Sequence, residues 1–281
     1  MERNVVKTTV LLGAIGGLLV TLGMLFGGLT GAVIGLLLGI GVCGVSYWRS
    51  DAIAIRSAGA VPAPETTFAR LHEVVREVAE RAGVPKPRVY IIDEAQPNAF
   101  ATGRGPRTGV VAVTRGLLEV TTRDELRGVI AHEIAHIRNR DILIGSVAAA
   151  IATGISFLAN LVMFTGIVGG DDEDRPHPLV ALVVAPVAAG ILQLALSRSR
   201  EYEADRAGAE ILGDPEPLAR ALEKLDAIAR RVPADVAPAQ AGAYIVNPLA
   251  GAQDRVSRLF TTHPPLEDRV ARLRAMGRAL A

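Results

Sequence analysis

Four long apolar stretches constrain this chain more than any other feature. Thr8 to Gly27 and Leu29 to Trp48 contain no charged side chain, and each has about the 20 residues that an α-helix needs to cross a ~30 Å hydrocarbon core. Ile142 to Gly170 is almost wholly apolar, with Asn160 its only strongly polar side chain, and Leu179 to Leu196 is a fourth, slightly short stretch. They are expected to form two transmembrane hairpins, 1–50 and 142–196. A cleaved signal peptide is the other reading of the first stretch, but the run shows no A-x-A site and a second span follows at once. Arg3, Lys7, Arg49, Arg56, Arg138, Arg140, Arg198 and Arg200 all flank one side of the four spans, while the connecting loops carry only Arg175. Basic residues stay on the cytoplasmic side of a cell (plasma or inner) membrane, so both termini and the polar parts are expected in the cytoplasm.

The polar parts, 51–141 and 197–281, must then assemble one water-facing domain. A Gly-, Ala- and Pro-rich linker, Ser57 to Pro64, leads into a helix over Thr67 to Ala82 with Leu71, Val75, Val78 and Ala82 on one face. Three short β-type runs follow, Arg88 to Ile92, Asn98 to Thr102 and Gly109 to Thr114, separated by Pro- and Gly-containing turns. Past the fourth span, helices are expected over Ser197 to Leu212, Glu216 to Arg230 and from His263-Pro264-Pro265 to the C-terminus. Val232 to Gln253 is rich in Pro, Ala and Gly and is expected to be an ordered or substrate-dependent loop. The fold class is therefore α+β, mainly α, with a small sheet. The net charge of +1 and the lack of a basic cluster interleaved with aromatics argue against a nucleic-acid partner. A single cysteine, Cys43, excludes a disulfide framework and a Cys-rich metal site.

Between the sheet and the third span stands His132-Glu133-Ile134-Ala135-His136. Two imidazoles four residues apart on a helix share one face and can hold a zinc ion, with the intervening Glu placed to take a proton from water. The word follows a capping box, Thr122 to Glu125, and Leu126, Ile130, Ile134 and Ile137 recur at helical spacing, so it sits on an amphipathic helix. A catalytic zinc needs a third protein ligand, and the candidates are the downstream carboxylates and the remaining histidines. Glu201 leads them: it shares a helix face with Asp205, and carboxylates beside a ligand often anchor a ligating His through its other nitrogen.

These residues resemble the HtpX-type membrane zinc proteases, relatives of the CAAX prenyl endopeptidases. The likeness spans nearly the whole chain: the first hairpin, Pro97 to Gly103, the His132 to His136 word, the second hairpin, Ser197 to Asp205, and Thr262 to Pro265 followed by Arg269. It implies a gluzincin with one Zn2+ per chain on His132, His136 and Glu201, Glu133 as general base and acid, and Asp205 behind the ligands. It also implies an edge strand that pairs with substrate backbone at Asn98, Ala99 and Phe100. His263 and Arg269 would stand beside the active site and steady the oxyanion. The implied role is proteolytic quality control, with membrane-protein or unfolded polypeptide substrates met at the lipid bilayer. Two alternatives remain open. One is a membrane scaffold or chaperone with a structural zinc site. The other is an intramembrane-cleaving protease, which would bury the charges that surround the word, Arg123 to Arg127 and Arg138 to Asp141.

Overall fold

The computed structural model of the chain describes residues 2–148, 151, 198–232, 244–247 and 264–280. Its first element, α1 (Glu2–Ser57), is two helices joined at Gly28, whose φ of 58° and ψ of −144° break the helix. Only glycine adopts that conformation readily, so the turn falls where the sequence has no Cβ to oppose it. The two halves then run antiparallel in close contact: a Cβ on Gly35 would stand 2.3 Å from the Leu19 carbonyl oxygen, and one on Gly39 3.3 Å from Gly16 Cα. Gly28–Ser57 is 30 residues long and apolar enough to cross a membrane, with 11% of its most apolar window buried. Leu29, Leu37 and Ile40 are 76%, 64% and 63% exposed, an apolar surface suited to lipid rather than water. The second helix does not stop at Trp48 but runs on to Ser57. Of the expected third span, residues 142–148 and 151 are helical; the rest of it, the acidic loop at 171–178 and the fourth span lie outside the described residues.

The sheet has four strands in the order β1 (Val61–Pro62), β2 (Arg88–Ile92), β4 (Val110–Thr114), β3 (Ala99–Thr102). β2 and β4 are parallel, and the outer pairs are antiparallel. Three strands fall on the three expected runs, while β1 arises inside the expected linker. One face of the sheet joins the main core through Val89, Ile91, Ala99, Val111 and Val113. The other carries Ile92, Phe100 and Ala112 against Tyr244 and the end of α1 at Ala54 and Ile55.

Helices α2 (Ala69–Ala82), α4 (Arg123–Asn139), α5 (Arg198–Leu212) and α6 (Glu216–Ala229) cover the main face, with a short α3 (Arg115–Val120) leading into α4 and α7 (Leu266–Leu280) closing the domain. α4 lies at the centre and packs against α2, α5 and α6. Two glycines permit this. A Cβ on Gly208 of α5 would stand 3.0 Å from the His132 backbone nitrogen, and one on Gly128 of α4 would stand 2.6 Å from the Leu218 nitrogen of α6. The backbones therefore meet without intervening side chains, which brings the faces of α4 and α5 that carry His132 and Glu201 to within reach of each other.

Candidate active site and metal centre

Helix α4 begins with the expected capping box: Glu125 N–H donates to Thr122 Oγ1 (3.2 Å), and Thr122 N–H donates to the Glu125 carboxylate (2.8 Å). Lys224 of α6 donates to the same carboxylate (2.6 Å), so the cap also fixes α4 to its neighbour. Seventeen residues long, the helix carries the two histidines and Glu133 in its buried middle.

His132 and His136 bring their Nε2 atoms to 3.1 Å of each other, and the Glu201 carboxylate lies 3.7 Å from each. The Nδ1 of His132 is 2.9 Å from Asp205 Oδ1, and the Nδ1 of His136 is 3.1 Å from both oxygens of Asp141. With each Nδ1 turned toward a carboxylate, the two Nε2 atoms face one another and Glu201. Two imidazole nitrogens and a carboxylate that converge in this way suit a metal cation. Atoms bound at about 2.0–2.1 Å around a tetrahedral ion stand about 3.4 Å apart, and the separations of 3.1, 3.7 and 3.7 Å fit that spacing. Among the described residues, these three form the group able to hold a metal ion.

The electrostatics agree. Burial disfavours a charged His136, yet Asp141, Glu201 and Glu133 together outweigh it and push the group up to about 10, the mark of a pocket that holds a positive charge. Burial is also the largest influence on His132, which it pulls down while Asp205 opposes it. The Asp205 carboxyl is disfavoured by burial, but the Arg269 guanidinium and His132 hold it down at about 2. Glu133 is 2% exposed. Burial, reinforced by Glu201, pushes its carboxyl up to about 8 against the pull of His136 and Arg269. A carboxyl in that range both accepts and returns a proton near neutral pH.

Arg269 is buried and bidentate on Asp205, with Nε at 2.8 Å and Nη2 at 2.7 Å, while Nη1 donates to the Ile245 carbonyl at 2.8 Å. The structure thus places it behind Asp205, in a chain Arg269–Asp205–His132. β3 is the expected edge strand, and the chain itself occupies part of that edge. Ile245 N–H donates to the Ala99 carbonyl (2.9 Å), and the Asn98 side chain accepts from Val246 N–H (3.3 Å) and donates to its carbonyl (2.9 Å). Asn98, Ala99 and Phe100 are all buried, Phe100 edge-on to Tyr244 with ring centres 5.2 Å apart. Further along, the Ala101 N–H donates to the Glu133 carboxylate. Residues 244–247 of the expected Val232 to Gln253 loop are thus a docked wall of the site. His263 lies outside the described residues.

The pattern that defines peptidase family M48 matches residues 65–277, which takes in the metal-binding word, Glu201 and Arg269. The chain belongs to peptidase family M48. This M48 chain is 47% identical to the protease HtpX homolog of Burkholderia thailandensis over 98% of both chains. It is equally identical to the protease HtpX homolog of Ralstonia nicotianae, over 97% of this chain and 96% of that one. In fold it is similar to Ste24p of S. mikatae, with a TM-score of 0.50 at 20% identity, covering 97% of this chain and 66% of that protein. The M48 chain is a metalloprotease, with a mainly helical architecture around a small mixed sheet. A scaffold with a structural metal and a protease cutting within the bilayer are both disfavoured.

Sequence reasoning located His132, Glu133, His136, Glu201 and Asp205, and the structure gathers all five. It passed over Asp141, Ala101, Gly208 and residues 244–246. Asp141 reaches His136 only because Arg140 adopts a left-handed conformation (φ 57°). A Gly or Asn at 140 would have signalled that turn; an Arg does not.

Proposed function

We propose that the chain is a zinc-dependent endopeptidase of the cell membrane that cuts misfolded or damaged membrane proteins, with His132, His136 and Glu201 holding one Zn2+. One observation carries the reading: three donor atoms from α4 and α5 converge at tetrahedral spacing on the helix that carries the buried Glu133. Zinc in such a site supplies Lewis acidity, making water acidic near neutral pH and drawing electron density from a peptide carbonyl. Glu133 takes the proton of the attacking water on its carboxylate and returns it to the departing amine. The Ala101 N–H holds that carboxylate in place. Asp205 keeps the His132 imidazole in the tautomer that presents Nε2, and Arg269 acts through Asp205. His263 is assigned, by family resemblance, to the oxyanion.

Four spans and a cytoplasmic catalytic domain complete the proposal. The helix restarts at Ile142, 142 − 136 = 6 residues beyond the second histidine. At ~1.5 Å per residue that is on the order of 10 Å, so the site lies against the membrane surface and meets anchored chains more often than free ones. The test uses the full chain in liposomes with zinc and an unstructured segment, presented free or fused to a membrane anchor at equal bulk concentration. Faster cleavage of the anchored form, abolished by a chelator and restored by zinc, is expected. Chelator-resistant cleavage would overturn the zinc assignment, and equal rates the membrane-proximal one.

A further inference from the structure

Helix α4 ends in an unusual way. Arg140 is the one non-glycine residue with positive φ among the described residues (φ 57°, ψ 30°), and its N–H and that of Asp141 close the last turn onto Ile137 and His136 carbonyls. A left-handed L-residue is disfavoured, and such conformations persist where surrounding structure holds them. What the turn achieves is visible in the next residue. Asp141, 6% exposed, is folded back so that both carboxylate oxygens stand 3.1 Å from Nδ1 of His136. On its far side the helix resumes over 142–148, with Ile142, Ile144, Val147 and Ala148 buried and Ser146 Oγ 2.7 Å from Thr102 Oγ1 on β3. Asp141 is therefore gripped between α4 and a segment that is itself tied to the edge strand. The buried Arg200 is electrostatically coupled to both Asp141 and Glu201.

From this geometry we infer that Asp141 is a positioning residue of the metal centre, fixing the tautomer and ring plane of His136 and joining that ligand to the segment at 142–148. The inference rests on the proposed metal site. His132 receives the same service from Asp205, so each histidine ligand has its own carboxylate. The two carboxylates differ in anchorage: Asp205 is held by Arg269 from α7, whereas Asp141 is held by a turn in the chain. His136 is the more exposed of the two ligands, with a side chain 15% accessible against 1% for His132. A partner on Nδ1 is what keeps that freer ring aimed.

Carboxylates and carbonyls that orient a ligating histidine are typically worth about 10–100-fold in metal affinity. The experiment measures the zinc dissociation constant of the full chain in detergent by chelator competition, together with the visible spectrum of the cobalt-loaded protein and the melting temperature without metal. It compares wild type, Asp141→Ala, Asp141→Asn and His136→Ala. Asp141→Ala is expected to weaken zinc binding about 10–100-fold and alter the cobalt spectrum, with the metal-free melting temperature unchanged. Asp141→Asn, whose Oδ1 still accepts from Nδ1–H, should recover most of the affinity. Wild-type affinity in Asp141→Ala would overturn the inference. So would a metal-free melting temperature that falls in step with affinity, since the residue would then be only structural. Failure of the underlying site reads differently: wild type and His136→Ala would bind zinc alike.

Discussion

At the scale of single residues, the proposed site separates groups that would hold a metal from a group that would move a proton. Glu133 lies between the two histidines in sequence, but it bonds to the Ala101 N–H and stays outside the triad formed by His132, His136 and Glu201. Glu133→Gln keeps that hydrogen bond and removes the base. It should lower peptide hydrolysis by about 10²–10⁴-fold while the purified protein retains its zinc. Loss of metal together with activity would make Glu133 a ligand. Glu201 and Glu203 make a second comparison, because both sit in the first turns of α5 but only Glu201 faces the histidines, and Glu203 is exposed. Glu201→Ala should strip most of the zinc, measured by metal analysis after dialysis, and Glu203→Ala should strip none. At this scale the sequence was informative because an i, i+4 spacing dictates a shared helix face whatever the surroundings. Asp141 and Ala101 were not legible, since their contacts depend on a left-handed turn and on where an edge strand lies.

Among elements, the decisive feature is how closely α4 approaches α5 and α6. Ligands contributed by two helices keep their spacing only if the helices cannot slide apart, and glycine at the crossing removes the side chain that would separate them. Gly208→Ala places a Cβ 3.0 Å from the His132 nitrogen and 3.1 Å from the Ala131 carbonyl carbon. Overpacking of this kind costs about 1–3 kcal/mol. The substitution should lower the melting temperature and also weaken zinc binding, because the strain falls on the backbone of a ligand. Gly128→Ala, with contacts of 2.6 and 2.8 Å to the Leu218 backbone of α6 one turn before His132, should destabilise more yet disturb the metal less, because α6 contributes none of the three metal-binding side chains. If Gly208→Ala bound zinc as tightly as wild type, the crossing would not govern ligand spacing. Neither glycine stands out in the sequence, where each looks like a weak helix former.

For the whole molecule, the question is how the catalytic domain stands relative to the bilayer. The turn at Gly28 and the contacts of Gly35 and Gly39 make the N-terminal helices one antiparallel pair, and the second helix runs directly into the sheet domain at Ser57. On the proposed topology the Lys and Arg asymmetry puts that domain, and with it both termini, in the cytoplasm. An accessible tag inserted within Asp171 to Pro176 should be labelled from outside intact cells, and one at the C-terminus only after permeabilisation. Both tags on one side would break the four-span arrangement. Sequence by itself marked the apolar stretches, the helix that carries His132 and His136, the strands beside it and Glu201 as the third member of the group able to hold a metal, because each follows from local periodicity, spacing or a motif. Tertiary structure alone decided that residues 244–246 lie along β3 and that Arg269 stands behind Asp205. It likewise decided that Asp141 turns back onto His136. Those contacts join residues far apart in the chain, or hang on one strained dihedral angle, and no local pattern encodes either.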